Sequence, residues 1–172
     1  SNILMRTYIN TEALVLARRQ LTNSKKQVIL FTPKNGKITT VAYGATNLTS
    51  HKIGHLEPGN LLFVSISENN GYFSLSQSRL LYAYSAIRAD SQSLSQLLQI
   101  CHLLLYLLPD GVEELDIYTS TIHALKQLNN RSQSVSPFLY QTLARLGYAD
   151  SQNDYDISSR MENILSRPYP KF

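Results

Sequence analysis

Arg18, Arg19, Lys25, Lys26, Lys34, Lys37 and Lys52 crowd a stretch of chain that is poor in acids. From Ser1 to Ala83 nine lysines and arginines face only Glu12, Glu57 and Glu68, a surplus of six, whereas the remainder carries seven bases against nine acids. A local excess of this kind suits contact with a polyphosphate, because each neutralised phosphate releases counterions and makes affinity depend on salt. Tyr43 lies within the same stretch, and an aromatic ring beside cations can stack a base whatever its sequence. His51, next to Lys52, adds a pH-sensitive contribution to such a surface.

Other chemistries find less support. His51 and His55 are four residues apart, the spacing that puts two imidazoles on one side of a helix, but Gly54 opposes a helix there and no carboxylate stands at a matching position, so no metal site is expected. The single cysteine, Cys101, excludes an internal disulfide and a cysteine-based zinc site. It falls at a core position of an apolar run and is expected to be inert. No serine occupies a Gly-x-Ser-x-Gly elbow, and Gly36, Gly44 and Gly54 do not form a phosphate-cradling loop ahead of a helix. Asp110, Glu113, Glu114 and Asp116 cluster where a helix is expected to start, and its dipole accounts for them. The chain is expected to have no catalytic centre and no cofactor.

The elements that would position these residues follow from periodicity. Ala13–Leu16 reads as a core strand emerging at Arg18-Arg19, and Gln27–Thr32 and Ile38–Tyr43 flank Asn35-Gly36 as a hairpin, with a type I′ turn at that dipeptide. Leu61–Ser67 and Tyr72–Arg79 form a second pair joined by Glu68-Asn69-Asn70-Gly71. Alternation places Tyr72 and Phe73 on opposite faces, so one of them belongs to the core. After Tyr82 the period changes from two to 3.6. Ser91 caps a leucine-rich helix that stops at Pro109-Asp110-Gly111, a second helix runs from about Glu113 to Leu128, a third has Ser136 as its N-cap, Pro137 at its first position and Gly147 as the stop after Leu146, and a short one lies around residues 158–165. His102 and His123 are expected to be partly buried among helical leucines. The fold class is therefore α+β: a five-stranded N-terminal barrel of the oligonucleotide-binding (OB-fold) type over residues 1–83, followed by an α-helical bundle domain over 84–172. A groove between the helices edged by Arg88, Lys126, Arg131 or Arg145 could take an acidic peptide, although bundle packing alone would account for the leucines. The longest apolar stretch, Leu97–Leu108, is too short for a bilayer, no signal peptide is visible, and a cytoplasmic location is expected.

In order along the chain, Thr11–Leu16, Leu30-Phe31-Thr32 with Asn35–Ile38, Val41–Ala45 and Leu56–Gly59 resemble the amino-terminal barrel of the RecO recombination-mediator family. Leu107–Gly111, and Phe138-Leu139 leading to Leu146-Gly147-Tyr148, are similar to its helical part. The resemblance implies a non-enzymatic DNA-repair protein that binds single-stranded and double-stranded DNA, anneals complementary strands and helps load recombinase. Its implied partners are RecR and the acidic carboxy-terminal tail of the single-strand-binding protein. Many members carry a zinc module with paired cysteines, absent from this sequence, and a loop after the Gly-Ala pair rich in Arg and Lys, where only Lys52 stands here. The alternative is a protein-interaction adaptor whose barrel no longer binds nucleic acid.

Overall fold

The computed structural model describes residues 6–44, 55–131 and 134–148. Five strands, β1 (Thr7–Thr22), β2 (Lys25–Thr32), β3 (Gly36–Tyr43), β4 (Leu61–Asn69) and β5 (Tyr72–Tyr82), close into a barrel in the order β1-β2-β3-β5-β4. The long first strand makes closure possible. Its first half, Thr7 to Leu14, pairs antiparallel with β4, and its second half, Leu14 to Thr22, pairs antiparallel with β2, with a register shift between Val15 and Ala17 where it turns from one neighbour to the other. β3 meets β5 in parallel at Val41 and Ser74.

Alternation decides what fills the interior. Ala13, Val15, Val28, Leu30, Leu62, Val64 and Ile66 are sealed inside, with Ile9, Phe73 and Leu75 packed against them. Each fully buried leucine or isoleucine there contributes about 1.5–3 kcal/mol through burial. Of the Tyr72-Phe73 pair, Phe73 joins the core and Tyr72 is 80% exposed.

The two Asn-Gly dipeptides behave differently. Asn70 and Gly71 have φ of 51° and 79° between the paired residues Asn69 and Tyr72, the two-residue turn with positive φ at both centres. At Asn35-Gly36 the expected type I′ turn is replaced by a three-residue loop, Pro33-Lys34-Asn35, between the paired residues Thr32 and Gly36, and Gly36 (φ 65°) has positive φ whereas Asn35 does not. Thr32 explains the change: its hydroxyl accepts from the Asn35 N–H at 3.0 Å and donates to the Gly36 carbonyl at 3.0 Å. Pro33, with φ fixed near −65°, favours an ordinary turn start over a primed one.

The described residues form two compact units: one holds those up to Ala83 together with Asp110–Glu114, the other Tyr84–Pro109 and those from Leu115 onward. The second unit contains α1 (Ser85–Arg88), α2 (Ser91–Leu107), α3 (Leu115–Asn129) and α4 (Ser136–Arg145). Asp90, one residue ahead of the expected Ser91, caps α2 by accepting from the Ser93 N–H at 3.0 Å and the Ser93 hydroxyl at 2.7 Å. Helix α3 begins at Leu115 and not at Glu113, because Asp110–Glu114 belong to the first unit, so Asp116 alone of the four acids lies in a first helical turn. α4 starts at Ser136 itself, so Val135 stands at the N-cap where Ser136 was expected, with Pro137 one position further into the helix. Its end is closed by Gly147 (φ 82°) and by the Tyr148 N–H bonded to the Leu143 carbonyl at 2.9 Å. The helix expected around residues 158–165 lies outside the described residues. No described helix is long and apolar enough to cross a membrane.

Candidate nucleic-acid interface

Register sorts the cations onto faces. Across β1, β2 and β3, Arg19 pairs with Gln27, Gln27 with Val41, and Lys25 with Tyr43, so Arg19, Lys25 and Tyr43 share the face turned away from the barrel interior. Arg18 pairs with the core residue Val28 and Gln20 with Lys26, which assigns Arg18 and Lys26 to the opposite face. Lys25 holds its ammonium 5.4 Å from the Tyr43 ring centroid, a cation–π contact that keeps the charge beside a ring 57% exposed. The Gly44 N–H donates to the Ser24 carbonyl at 2.9 Å and ties the end of β3 to the β1–β2 turn. Between Glu12 and Glu57 the sequence has no carboxylate, so this end of the sheet gathers four cations, and the second half of β1, β2 and β3 carry no acid.

The other expected contacts separate from that group. Lys34 is exposed in the loop at the far end of β2, roughly 25 Å away for eight residues at about 3.3 Å each. Lys37 is drawn inward: its side chain is 11% exposed and pairs at 3.4 Å with Asp110, which is 81% exposed. Arg18 pairs at 2.6 Å with Glu57. His51 and Lys52 lie outside the described residues. His55 is half-buried, and no group of three His, Cys, Asp or Glu among the described residues comes together to hold a metal.

Asp110 was invisible to local patterning because 73 positions separate it from Lys37. Topology brings them together. The Gly111 N–H donates to the Lys37 carbonyl at 2.9 Å, and Lys37 and Asp110 form a parallel bridge. Gly36 makes room for the approach, since a Cβ there would lie 2.0 Å from the Val112 carbonyl oxygen. A second feature the sequence reading passed over is the outer side of β1, β4 and β5, with Tyr8, Phe63 and Tyr72 exposed and the Arg79 guanidinium 5.8 Å from the Phe63 ring. Phe63 stands out of phase with Leu62, Val64 and Ile66 along β4, and that was the signal that could have found it.

In the helical unit, Arg88 is half-buried in α1, while Lys126 and Arg131 are exposed toward and just past the end of α3, Arg131 with φ of 55°. Arg145, exposed on α4, donates to the Ser120 hydroxyl at 2.9 Å and to the Asp116 carbonyl at 3.4 Å. A cleft of about 230 Å³ between α3 and α4 is lined by Ala124, Val135 and Phe138, and Arg131 lines a separate one with Asp90 and Gln96. Of the four cations, Arg131 lines one of these two clefts. His102 is half-buried with its ring 4.6 Å from that of Tyr106, whereas His123, against expectation, is exposed. Cys101 is buried, and burial pushes its thiol up to about 12, which removes it as a nucleophile.

Comparison with known proteins agrees with this architecture. The family described as recombination protein O, N terminal, matches residues 5–84, the whole five-stranded barrel. The DNA repair protein RecO of Caldanaerobacter subterraneus is 24% identical over 161 residues, covering 91% of this chain and 65% of that protein. The RecO of Syntrophomonas wolfei is 28% identical over 145 residues (83% and 58%), and that of Geobacter sulfurreducens 31% identical over 143 residues (81% and 59%). The chain thus spans a little under two thirds of the length of the curated relatives it matches. With a barrel match over the first unit and relatives that extend through the helices, the chain is similar to RecO proteins over most of its length.

Proposed function

We propose that this chain is a non-enzymatic mediator of DNA repair and recombination that holds single-stranded DNA along the outer face of β1, β2 and β3, binds double-stranded DNA through the same cations, and brings complementary strands together. Its protein partners in this reading are RecR and the carboxy-terminal tail of the single-strand-binding protein, the tail docking on the helical unit near Arg88, Lys126, Arg131 or Arg145, with recombinase loading as the outcome. The reading is carried by one observation: Arg19, Lys25 and the exposed ring of Tyr43 lie on one face, at an end of the sheet whose strands hold no acid between Glu12 and Glu57. Cations there neutralise phosphates while the ring stacks a base. Lys34 extends the track at its far end, and Arg18, Lys26 and Lys37 serve as further phosphate contacts in this reading, as do His51 and Lys52 from outside the described residues.

Four phosphate contacts on a single strand give a log–log salt slope of about −3. The double variant Arg19→Glu, Lys25→Glu is expected to reduce the steepness of that slope by about 1.4 and to weaken binding of a labelled oligonucleotide at low salt. An unchanged slope removes this face from the site. The ion pairs of Arg18 with Glu57 and Lys37 with Asp110 favour a second reading, an adaptor acting only through its protein partners. Retention of RecR or single-strand-binding protein on a column, without any shift of an oligonucleotide at low salt, would select it.

A further inference from the structure

A cavity of about 480 Å³ opens in the first unit between the β2–β3 loop and the β4–β5 turn. Ile9, Ile38 and Phe73 supply its apolar wall, and Lys37, Asp110 and Glu68 supply its charges. We infer that this cavity is a receptor for a single unstacked nucleobase, and that its charges select guanine. The inference rests on the nucleic-acid reading above for how a strand arrives, and on the cavity alone for what enters it.

Charge decides which part of a nucleotide enters. One ammonium against two carboxylates leaves the cavity with a formal surplus of one negative charge, which repels a phosphate and accepts a neutral ring. The phosphate stays outside, where Lys34 is exposed on the adjoining loop. A base out of its stack is held by an aromatic or apolar surface and read along its Watson–Crick edge. Phe73 provides the ring surface. The guanine edge carries one acceptor, O6, beside two donors, N1–H and N2–H₂. Thymine has two acceptors around one donor, cytosine has two acceptors and one donor, and adenine offers one of each. An ammonium beside two carboxylates matches the guanine pattern in full, whereas the single donor of each other base leaves one carboxylate without a partner: Lys37 donates to O6, and Asp110, with Glu68 nearby, accepts from N1–H and N2–H₂.

The chain goes to some length to place that carboxylate. Asp110 reaches Lys37 only because Gly36, at φ 65°, has no side chain to meet Val112 and because the Gly111 N–H bonds to the Lys37 carbonyl. Its exposure of 81%, beside a lysine side chain exposed by 11%, leaves the carboxylate free to turn from the ammonium toward an incoming ring. Thr39 lines the cavity and alternates with Val41 and Tyr43 along β3, so the cavity lies at the end of the proposed strand path.

The test titrates the full chain with guanosine, adenosine, cytidine and thymidine, which carry no phosphate, and follows backbone amide shifts. In parallel, a labelled all-thymidine strand reports the phosphate-binding face. Guanosine is expected to bind about tenfold tighter than the other three nucleosides, with the largest shifts at Phe73 and Gly111. Asp110→Asn is expected to bring the four to parity while affinity for the thymidine strand changes by less than about twofold. Glu68→Gln, which leaves the Gly36–Val112 approach untouched, is expected to reduce the same preference. Four nucleosides indistinguishable in the unmodified chain, or a guanosine preference that survives in both variants, overturns the inference. Guanosine binding without any binding of the thymidine strand supports the cavity and sinks the phosphate-binding face.

Discussion

Replacing Gly36 by alanine tests the most constrained point of the first unit, and Gly71→Ala supplies its control. Both glycines have positive φ, 65° and 79°, so both substitutions carry the left-handed penalty of about 1–2 kcal/mol for a residue with a Cβ. They differ in space. A Cβ at Gly71 meets nothing within 4 Å, whereas one at Gly36 falls 2.0, 2.7 and 2.9 Å from the carbonyl oxygen, carbonyl carbon and nitrogen of Val112. Those are backbone atoms, which cannot rotate aside. The segment around Val112 must move, and with it goes the Gly111 N–H bond to the Lys37 carbonyl, a loss of about 0.5–1.5 kcal/mol. Gly36→Ala is therefore expected to destabilise the chain by about 1.5–3.5 kcal/mol and Gly71→Ala by about 1–2 kcal/mol. Urea unfolding followed by circular dichroism measures both. With a dependence of about 1–3 kcal/mol per molar urea, the midpoint for Gly36→Ala should fall below that for Gly71→Ala by about 0.2–1.5 M. Equal midpoints would refute the argument that close backbone approach, over and above φ, requires glycine at position 36.

Two further outcomes are expected. Hydrogen bonds from the Ser93 hydroxyl and N–H hold the Asp90 carboxyl below its ordinary value of 3.8, so the cap stabilises α2 above the unfolded pKa and is lost as pH falls through the folded one. Asp90→Ala should lower the melting temperature at pH 7, and the gap from the unmodified chain should narrow as pH drops below about 4, while a constant gap would exclude the charged cap. Cys101, buried and raised to about 12, should resist a thiol reagent at pH 8 in the folded chain and react promptly in denaturant; fast labelling of the native chain would contradict its burial.

Five strands and the main helices were legible because period-two and period-3.6 patterning act locally, and the hydrophobic faces they define decide burial. The Phe73-in, Tyr72-out choice followed from the same logic. Turn geometry was less legible. Asn35-Gly36 and Asn70-Gly71 carry the same dipeptide, and Thr32 together with Pro33 separates them through hydrogen bonds that pair statistics on Asn-Gly do not contain. The start of α3 was misplaced for a tertiary reason, since Glu113 and Glu114 follow Gly111 back to the first unit. For the candidate site, composition exposed the cations and register sorted them. That Lys37 would meet Asp110 and Arg18 would meet Glu57 depends on strand pairing between distant segments, and Arg79 over Phe63 depends on the antiparallel register of β4 and β5.

The union of β3 with β5 has a mechanical consequence. Four of the five junctions around the cylinder run for seven to nine paired residues, while this one is fastened at Val41 and Ser74. Its ladder contributes only a couple of hydrogen bonds, each worth about 1 kcal/mol net, so the packing of Ile38, Ala42, Phe73 and Leu75 closes the wall there more than pairing does. Amides of Thr39 to Ala42 should accordingly trade their protons for deuterium sooner than those of β1 or β4.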